Sequence, residues 1–244
     1  MSVRSAVILA AGQGLRLRDA VPDNPKGFVV LGGETLIERS IRQLRQTGIE
    51  DILIVSGFRS HLYEQLAERT PGVRTVENRQ YDSTGSLFSL ALALPLVRAP
   101  FLLLESDLLY EPRSLTELLS GPSRSAILAS GLTHHGDEVF VDAVDSRFRH
   151  MSKDTATLHT IVGEFVGITV VGASAASAIA EYARNALRVN PCVDYEESLN
   201  EIADSHEIGI CKVEDLVWTE IDTPQHLDLA RQSVLPRLPQ REDS

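Results

Sequence analysis

Cysteine is almost missing from this chain: Cys192 and Cys211 are the only two in 244 residues. Two isolated thiols can neither frame a disulfide scaffold nor give the paired spacing of a zinc site, so a reducing cytoplasm is the expected compartment. No apolar run reaches the roughly 18 residues that cross a bilayer, and Arg4 is followed at once by a short strand pattern rather than a secretory leader. No membrane partner is expected. Positive charge is also short. With a net charge of −11 the surface would repel nucleic acid over most of its area. Small anionic ligands stay open, because they need only a local basic pocket or a metal ion held by carboxylates. Ser-His-Asp and Cys-His constellations are absent as well. Lysine is the last scarcity: of 23 basic residues, only Lys26, Lys153 and Lys212 are lysines.

One of those three stands in the most informative stretch. Val7-Ile8-Leu9-Ala10-Ala11-Gly12-Gln13-Gly14-Leu15-Arg16-Leu17-Arg18 is followed by Asn24-Pro25-Lys26. An apolar strand thus feeds into small residues and two glycines, whose backbone N–H groups phosphate oxygens can approach, with cations beside them. Gly-x4-Gly-Lys-Ser/Thr does not occur, which removes the Walker loop. Leu17 stands where the dinucleotide fingerprint needs its third glycine, and the next strand ends in Ser56-Gly57 rather than an acid. Lysine offers a compact point charge to a phosphate oxygen, where arginine imposes a planar fork.

Strand-like and helix-like patterns alternate along the chain, so crossovers and a parallel sheet are expected. Strands are predicted near 3–9, 51–55, 73–77, 100–107, 125–130, 139–144, 163–171, 208–213 and 217–221. Helices are predicted near 35–46, 60–69, 86–94, 173–186, 194–203 and 224–234. The expected fold is a single Rossmann-like three-layer α/β/α domain over 1–235, with a mixed, mostly parallel sheet. The proline- and charge-rich tail 236–244 is predicted to be disordered. Ala173, Ala176 and Ala180 make a small-residue face, suited to a partner or to the sheet.

In open α/β sheets, ligands bind outside the carboxyl ends of the strands. Leu104-Glu105-Ser106-Asp107 ends an apolar strand in acids, and Glu105 and Asp107 share a face if the strand continues. Glu220-Ile221-Asp222-Thr223-Pro224 repeats the pattern before a helix start. Each acid alone could simply cap a helix. Two acidic strand ends in one sheet, opposite a phosphate loop, instead suit Mg²⁺, which takes one or two carboxylates plus substrate phosphates.

Together these residues resemble the nucleotidyltransferase family that joins an NTP to a phosphorylated acceptor. Leu9 to Arg16 with Pro25-Lys26 match its Leu-Ala-Ala-Gly-x-Gly-x-Arg…Pro-Lys motif, and the likeness runs over roughly residues 4–232. Within the family the chain looks closest to cytidylyltransferases acting on phosphocholine or on phosphonates such as 2-aminoethylphosphonate. Glu77-Asn78-Arg79-Gln80-Tyr81 is similar to their Asn-x-x-Tyr segment, and Ser89 falls where a serine lies near the base. Gly85-Ser86 replaces the paired asparagines. Val139 and Asp194-Tyr195-Glu196 replace aromatic residues of the acceptor pocket.

The resemblance implies in-line transfer of CMP from CTP to a phosphonate or phosphate acceptor with release of pyrophosphate. The acceptor oxygen is already ionised near neutral pH, so no general base is needed. Arg16 would hold the β- and γ-phosphates, and Lys26 the α-phosphate or acceptor oxygens. Asp107 with Asp222 and Glu220 would hold Mg²⁺. Leu9, Ala10, Ala11, Gly12, Gly14, Asn78, Gly85 and Ser89 would meet the nucleotide. Glu105, Asp137 and Tyr195 would meet the acceptor, against the plainer readings of a solvated acidic face and a half-buried helix aromatic. A homodimer is expected on the resemblance alone. A sugar-1-phosphate nucleotidyltransferase using UTP or dTTP and a non-catalytic nucleotide-binding subunit are the rival readings.

Overall fold

The computed structural model describes residues 3–18 and 20–239. The chain opens with β1 (Ser5–Ala10), buried along its whole length, as a continuous apolar run in a central parallel strand should be. A hairpin of β2 (Val30–Leu31) and β3 (Glu34–Thr35) leads into α1 (Leu36–Gln46). Thr35 and Glu38 form a reciprocal capping box at its start, satisfying donors the helix cannot. Then come β4 (Asp51–Ser56), α2 (Ser60–Glu68), β5 (Val73–Glu77), α3 (Ser86–Ala93), β6 (Phe101–Glu105), β7 (Leu108–Tyr110) and α4 (Arg113–Ser120). The second half carries β8 (Ala126–Ser130), β9 (Phe140–Val144), β10 (Arg147–Ser152), β11 (Ile161–Val171), α5 (Ala173–Val189) and α6 (Tyr195–Ile202). It closes with β12 (Gly209–Val213), β13 (Trp218–Glu220) and α7 (Pro224–Leu229), whose last turn widens into π-type winding over Ala230–Val234.

Nine strands form one mixed sheet in the order β5-β4-β1-β6-β11-β8-β12-β10-β9. The parallel pairings β5–β4–β1–β6 and β8–β12, joined through antiparallel β11 and β10, leave seven strands running one way and two the other. Period-two alternation sorts the core. Ile8, Ile54 and Leu104 face one layer, with Ile37 and Ile41 of α1, Tyr63 of α2 and Leu115 of α4. Val7, Leu53 and Leu103 face the other, with Leu87 of α3, Ile179 of α5 and Leu199 of α6. The three layers match the expected α/β/α fold, and no described helix is long and apolar enough to cross a membrane.

Three sequence expectations need correction. Glu220 does not end a strand of the main sheet: β13 pairs antiparallel with β7 in a separate two-stranded ribbon. The ribbon folds back over the strand ends, and the Ile221 N–H donates to the Asp107 carbonyl at 3.0 Å. Second, α4 and β10 were not anticipated. The α4 stretch is only eight residues and rich in Ser and Thr, which favour caps and turns over helix interiors. In β10 a register shift between Phe148 and His150 breaks the alternation that would reveal a strand. Third, the stretch read as disordered from 236 opens in order, since Leu235–Arg237 form a turn of 3₁₀ helix and Leu238 is buried; residues 240–244 lie outside the described residues. Along α5, Ala175, Ile179 and Ala183 are buried, while Ala173 is exposed and Ala176 and Ala180 are half-buried.

Gly85 fixes how the segment before α6 sits on α3. A Cβ there would stand 2.3 Å from the Val193 carbonyl oxygen and 2.6 Å from that of Cys192. Gly85→Ala should therefore cost about 1–3 kcal/mol through forced backbone movement. Gly12→Ala, whose methyl would meet nothing within 4 Å, should stay within about 0.5 kcal/mol of wild type. Denaturant unfolding of the two variants checks the contrast.

Candidate active site

A cleft of about 400 Å³ opens outside the carboxyl ends of β1, β5 and β6, with Leu9 to Gly12, Asn78 and Glu105 to Asp107 among its walls. The N-terminal ends of α3 and α6 close one side, and Glu220 and Asp222 the other. Backbone bonds hold the strand ends together. The Ser106 N–H donates to the Leu9 carbonyl, and the Phe58 N–H to that of Ala11. An adjoining hollow of about 410 Å³ is bounded by Gly12 to Arg16, Lys26, Tyr81 and Asp222. Gly14 adopts a left-handed conformation (φ 59°), and a Cβ on it would stand 3.0 Å from the Lys26 side chain. The second glycine of the motif is thus needed for the turn and for the lysine beside it.

Opposite charges alternate across the mouth of the cleft. Lys26 Nζ donates to Asp107 Oδ2 at 2.7 Å and to Asp222 Oδ1. The other oxygen of Asp222 accepts from Arg16 Nη2. Arg16 Nη1 reaches Asp137 Oδ2 at 3.1 Å, and Lys153 Nζ donates to Asp137 Oδ1 at 2.5 Å. Burial alone would push Lys26 down, but Asp107, Glu220 and Glu105 outweigh it and hold the ammonium above the ordinary lysine range.

Behind Lys26 lies an excess of acid. Glu105, Asp107 and Glu220 each turn an oxygen into one cluster, all within 4.8 Å of one another. Burial and the neighbouring carboxylates raise Glu105 well above the usual carboxylate range, and the Tyr195 hydroxyl donates to its Oε1 at 2.6 Å. Gly167, at a bulge of β11 with φ 79°, leaves room for that carboxylate, since a Cβ would stand 3.1 Å from Glu105 Cδ. Burial first, then Asp107, pushes Glu220 up to about 7. Burial likewise lifts Glu196 to about 7. Asp107 Oδ1 is buried with no hydrogen-bond partner. Crowded carboxylates are costly to bury unless a cation offsets them. Hard oxygen donors with an unpartnered carboxylate oxygen fit a Mg²⁺ ion.

The residues singled out from the sequence mostly meet here. Leu9, Ala10, Ala11, Gly12, Asn78, Gly85 and Ser89 line the cleft, and Gly14 and Arg16 line the adjoining hollow. The Asn78 amide donates to Thr84 Oγ1 and Ser89 Oγ while its oxygen accepts from the Gln80 N–H, so its side chain shapes the wall. Ser86 Oγ lies 3.1 Å from Asp194 and accepts from the Tyr195 N–H, pinning α6 to α3. Tyr195 is fully buried, not half-buried, with its hydroxyl at the cleft floor. Asp107 and Glu220 cluster with Glu105, which was expected on the acceptor side, whereas Asp222 is given to the two cations. Asp137 lies outside the main cleft, in a crevice of about 30 Å³ beside Glu220 and His226.

Sequence reasoning missed Tyr63 and Lys153, and named Glu196 only within the altered acceptor segment. Tyr63 lines the cleft from α2, whose apolar spacing marks it as a packing position, and Glu196 from the first turn of α6. Lys153 carried a signal, the scarcity that drew attention to Lys26; it sits on Asp137, and its charge acts on Glu196 and Glu220.

The raised Glu220 has a consequence for stability. Its proton is bound more tightly in the folded state than in the unfolded one, so its stabilising contribution is present at low pH and is lost as pH rises through about 7. In metal-free buffer, Glu220→Gln should raise Tm most at pH 8, and the gain should shrink as pH falls toward about 4.5. Thermal unfolding with EDTA, across that range, measures it.

Comparison with known proteins places these features. A CMP-5'-(3-aminopropyl)phosphonate synthase from Streptomyces rubellomurinus is 28% identical over 240 residues, covering 90% of this chain and 37% of that protein. A 2-aminoethylphosphonate cytidylyltransferase from Lancefieldella rimae is 30% identical over 162 residues, 65% of each chain. The chain therefore spans about a third to two thirds of the length of these curated relatives. The structure of the inositol-1-phosphate CTP transferase from T. maritima shares the fold, with a TM-score of 0.82, 22% identity and coverage of 97% of this chain and 96% of that one. The model of the MobA-like NTP transferase domain matches residues 6–186, from β1 nearly to the end of α5, and the chain belongs to that family.

Proposed function

We propose that the chain transfers CMP from CTP to a small phosphonate or phosphorylated acceptor and releases pyrophosphate. The observation that carries this reading is a cleft at the strand ends where Lys26, with Arg16 in the adjoining hollow, faces a cluster of carboxylates. The phosphonate-linked relatives support CTP as donor and a phosphonate as acceptor. A mere nucleotide-binding subunit has little use for so costly an acid cluster.

The backbone from Leu9 to Gly14 admits the triphosphate, with Arg16 on its β- and γ-phosphates and Lys26 at the α-phosphate. Asn78 and Ser89 shape the nucleoside wall, and Gly85 lets the segment before α6 approach it. Lys153 is the cation on the acceptor side, while Glu105, Tyr195 and Glu196 floor the space left for the acceptor's tail. An acceptor oxygen, already ionised, forms its bond to the α-phosphorus as the bond to the β-phosphate oxygen breaks and pyrophosphate leaves with that electron pair. Positioning and charge neutralisation supply the rate. A Mg²⁺ ion held by Asp107, Glu220 and Asp222 would offset charge on the phosphates and on the leaving pyrophosphate. A cytoplasmic location and a homodimeric state belong to the same proposal, and sedimentation velocity decides the second.

Pyrophosphate release across four NTPs, crossed with phosphonates, phosphocholine and sugar phosphates, tests the reading. CTP with a phosphonate or phosphate acceptor should be the active pair; UTP or dTTP with a sugar phosphate would replace it with sugar activation, and silence throughout would favour a binding subunit. EDTA should abolish turnover and added Mg²⁺ restore it. Lys26→Ala should lower turnover by about 10²–10³-fold without loss of folding by circular dichroism, because Lys26 lies in a loop turn.

A further inference from the structure

Six side chains form one unbroken row of alternating charge: Lys153, Asp137, Arg16, Asp222, Lys26 and Asp107. Five of them have roles in the proposed transfer. Asp137 lies outside the main cleft, yet it is the link between the cation on the triphosphate side and the cation on the acceptor side. We infer that Asp137 is a positioning residue for both substrates, holding Arg16 toward the nucleotide and Lys153 toward the acceptor with one carboxylate. The inference rests on the nucleotidyl-transfer reading above.

The geometry suits a shared anchor. Lys153 takes Oδ1 at 2.5 Å and Arg16 takes Oδ2 at 3.1 Å, so neither bond displaces the other. Arg16 also divides its nitrogens, with Nη1 on Asp137 and Nη2 on Asp222. Nη2 is thus free to exchange Asp222 for a phosphate oxygen while Nη1 stays anchored. Both cations need such an anchor. The side chains of Arg16 and Lys153 are each 59% exposed, and a long exposed side chain loses rotamer freedom each time it grips a ligand.

The backbone brings three separate segments to this point. Arg16 follows β1, Lys153 follows β10, and Asp137 sits between β8 and β9. There left-handed His134 (φ 59°) and Gly136 (φ 96°) turn the chain. The crevice around Asp137 also holds Glu138, Glu164 and Glu220 with His135 and His226. Burial acts against the Asp137 carboxylate, but Lys153 and Arg16 outweigh it and hold it below the usual range, so it stays charged near neutral pH.

Steady-state kinetics of Asp137→Asn tests the assignment. A partly exposed charge pair is worth little, so the expected effect is a roughly five- to tenfold rise in KM for CTP and for the acceptor together, with Tm unchanged. Arg16→Met should raise KM for CTP alone and Lys153→Met that for the acceptor alone. In the Arg16→Met/Lys153→Met background, Asp137→Asn should add nothing. Asp137→Glu should recover part of both losses, and Asp137→Ser serves if the asparagine variant folds poorly. An unchanged KM for CTP overturns the inference, and so does a rise confined to the acceptor, which would mean direct contact with it. Equilibrium titration with Mg·CTP separates the two levels. Wild type binding CTP no better than Asp137→Asn sinks the positioning role alone. Wild type that binds no NTP and releases no pyrophosphate sinks the transfer reading, and this inference with it.

Discussion

Lys26 stands between Asp107 and Asp222, and the charge balance of the whole cleft hangs on that contact. Glu105, Asp107, Glu220 and Glu196 are packed around one end of the site, where their mutual repulsion and lost hydration work against folding. One buried ammonium cannot neutralise them all. Three of the acids respond by holding their protons more tightly, Glu196 and Glu220 up to about pH 7. A site built this way is suited to gaining cations along with an anionic substrate. The same carboxylates that hold the lysine now are those a hard divalent ion would claim once phosphate oxygens take the lysine.

That contact exists because the fold brings distant strand ends to one point. Arg16 and Lys26 come with the loop after β1, Asp107 with the end of β6, and Asp222 lies 115 residues beyond Asp107 in the chain. The ribbon of β7 and β13 closes the gap: its ladder sets Glu220 opposite Leu108, and the Ile221 N–H reaches the Asp107 carbonyl. Glycines admit what side chains would exclude. Gly14 lets Lys26 lie along the loop, Gly85 lets the segment before α6 close on α3, and Gly167 leaves space for the buried Glu105. Each of these glycines sets where a functional group stands.

Much of this was legible in the residue order. The run Val7 to Arg18 with Pro25-Lys26 announced the glycine loop at the cleft, because a buried strand followed by small residues and cations is a local pattern. Asp107 and Asp222 were legible as acids at apolar strand ends. Lys153 was overlooked although lysine is rare in the chain, since nothing local ties it to the loop 137 residues earlier. Glu105 was read as an acceptor contact, and its place beside Asp107 and Glu220 was not legible because Glu220 lies 115 residues away in the chain. Tyr195 was read as an acceptor contact or a half-buried helix aromatic; it is buried, and its hydroxyl donates to Glu105.

By itself the sequence determined the alternation of strands and helices, the glycine turn, and which charged residue types would gather at the strand ends. These follow from periodicity, backbone freedom and side-chain chemistry over a few neighbouring residues. Only the tertiary structure decided who partners whom. It sent Glu220 to a ribbon rather than to the main sheet, divided the carboxylates between metal-like cluster and ion pairs, and strung Asp137 between Arg16 and Lys153. Those outcomes depend on register and on loop closure between segments far apart in the chain, where a shift of one residue turns a side chain to the other face.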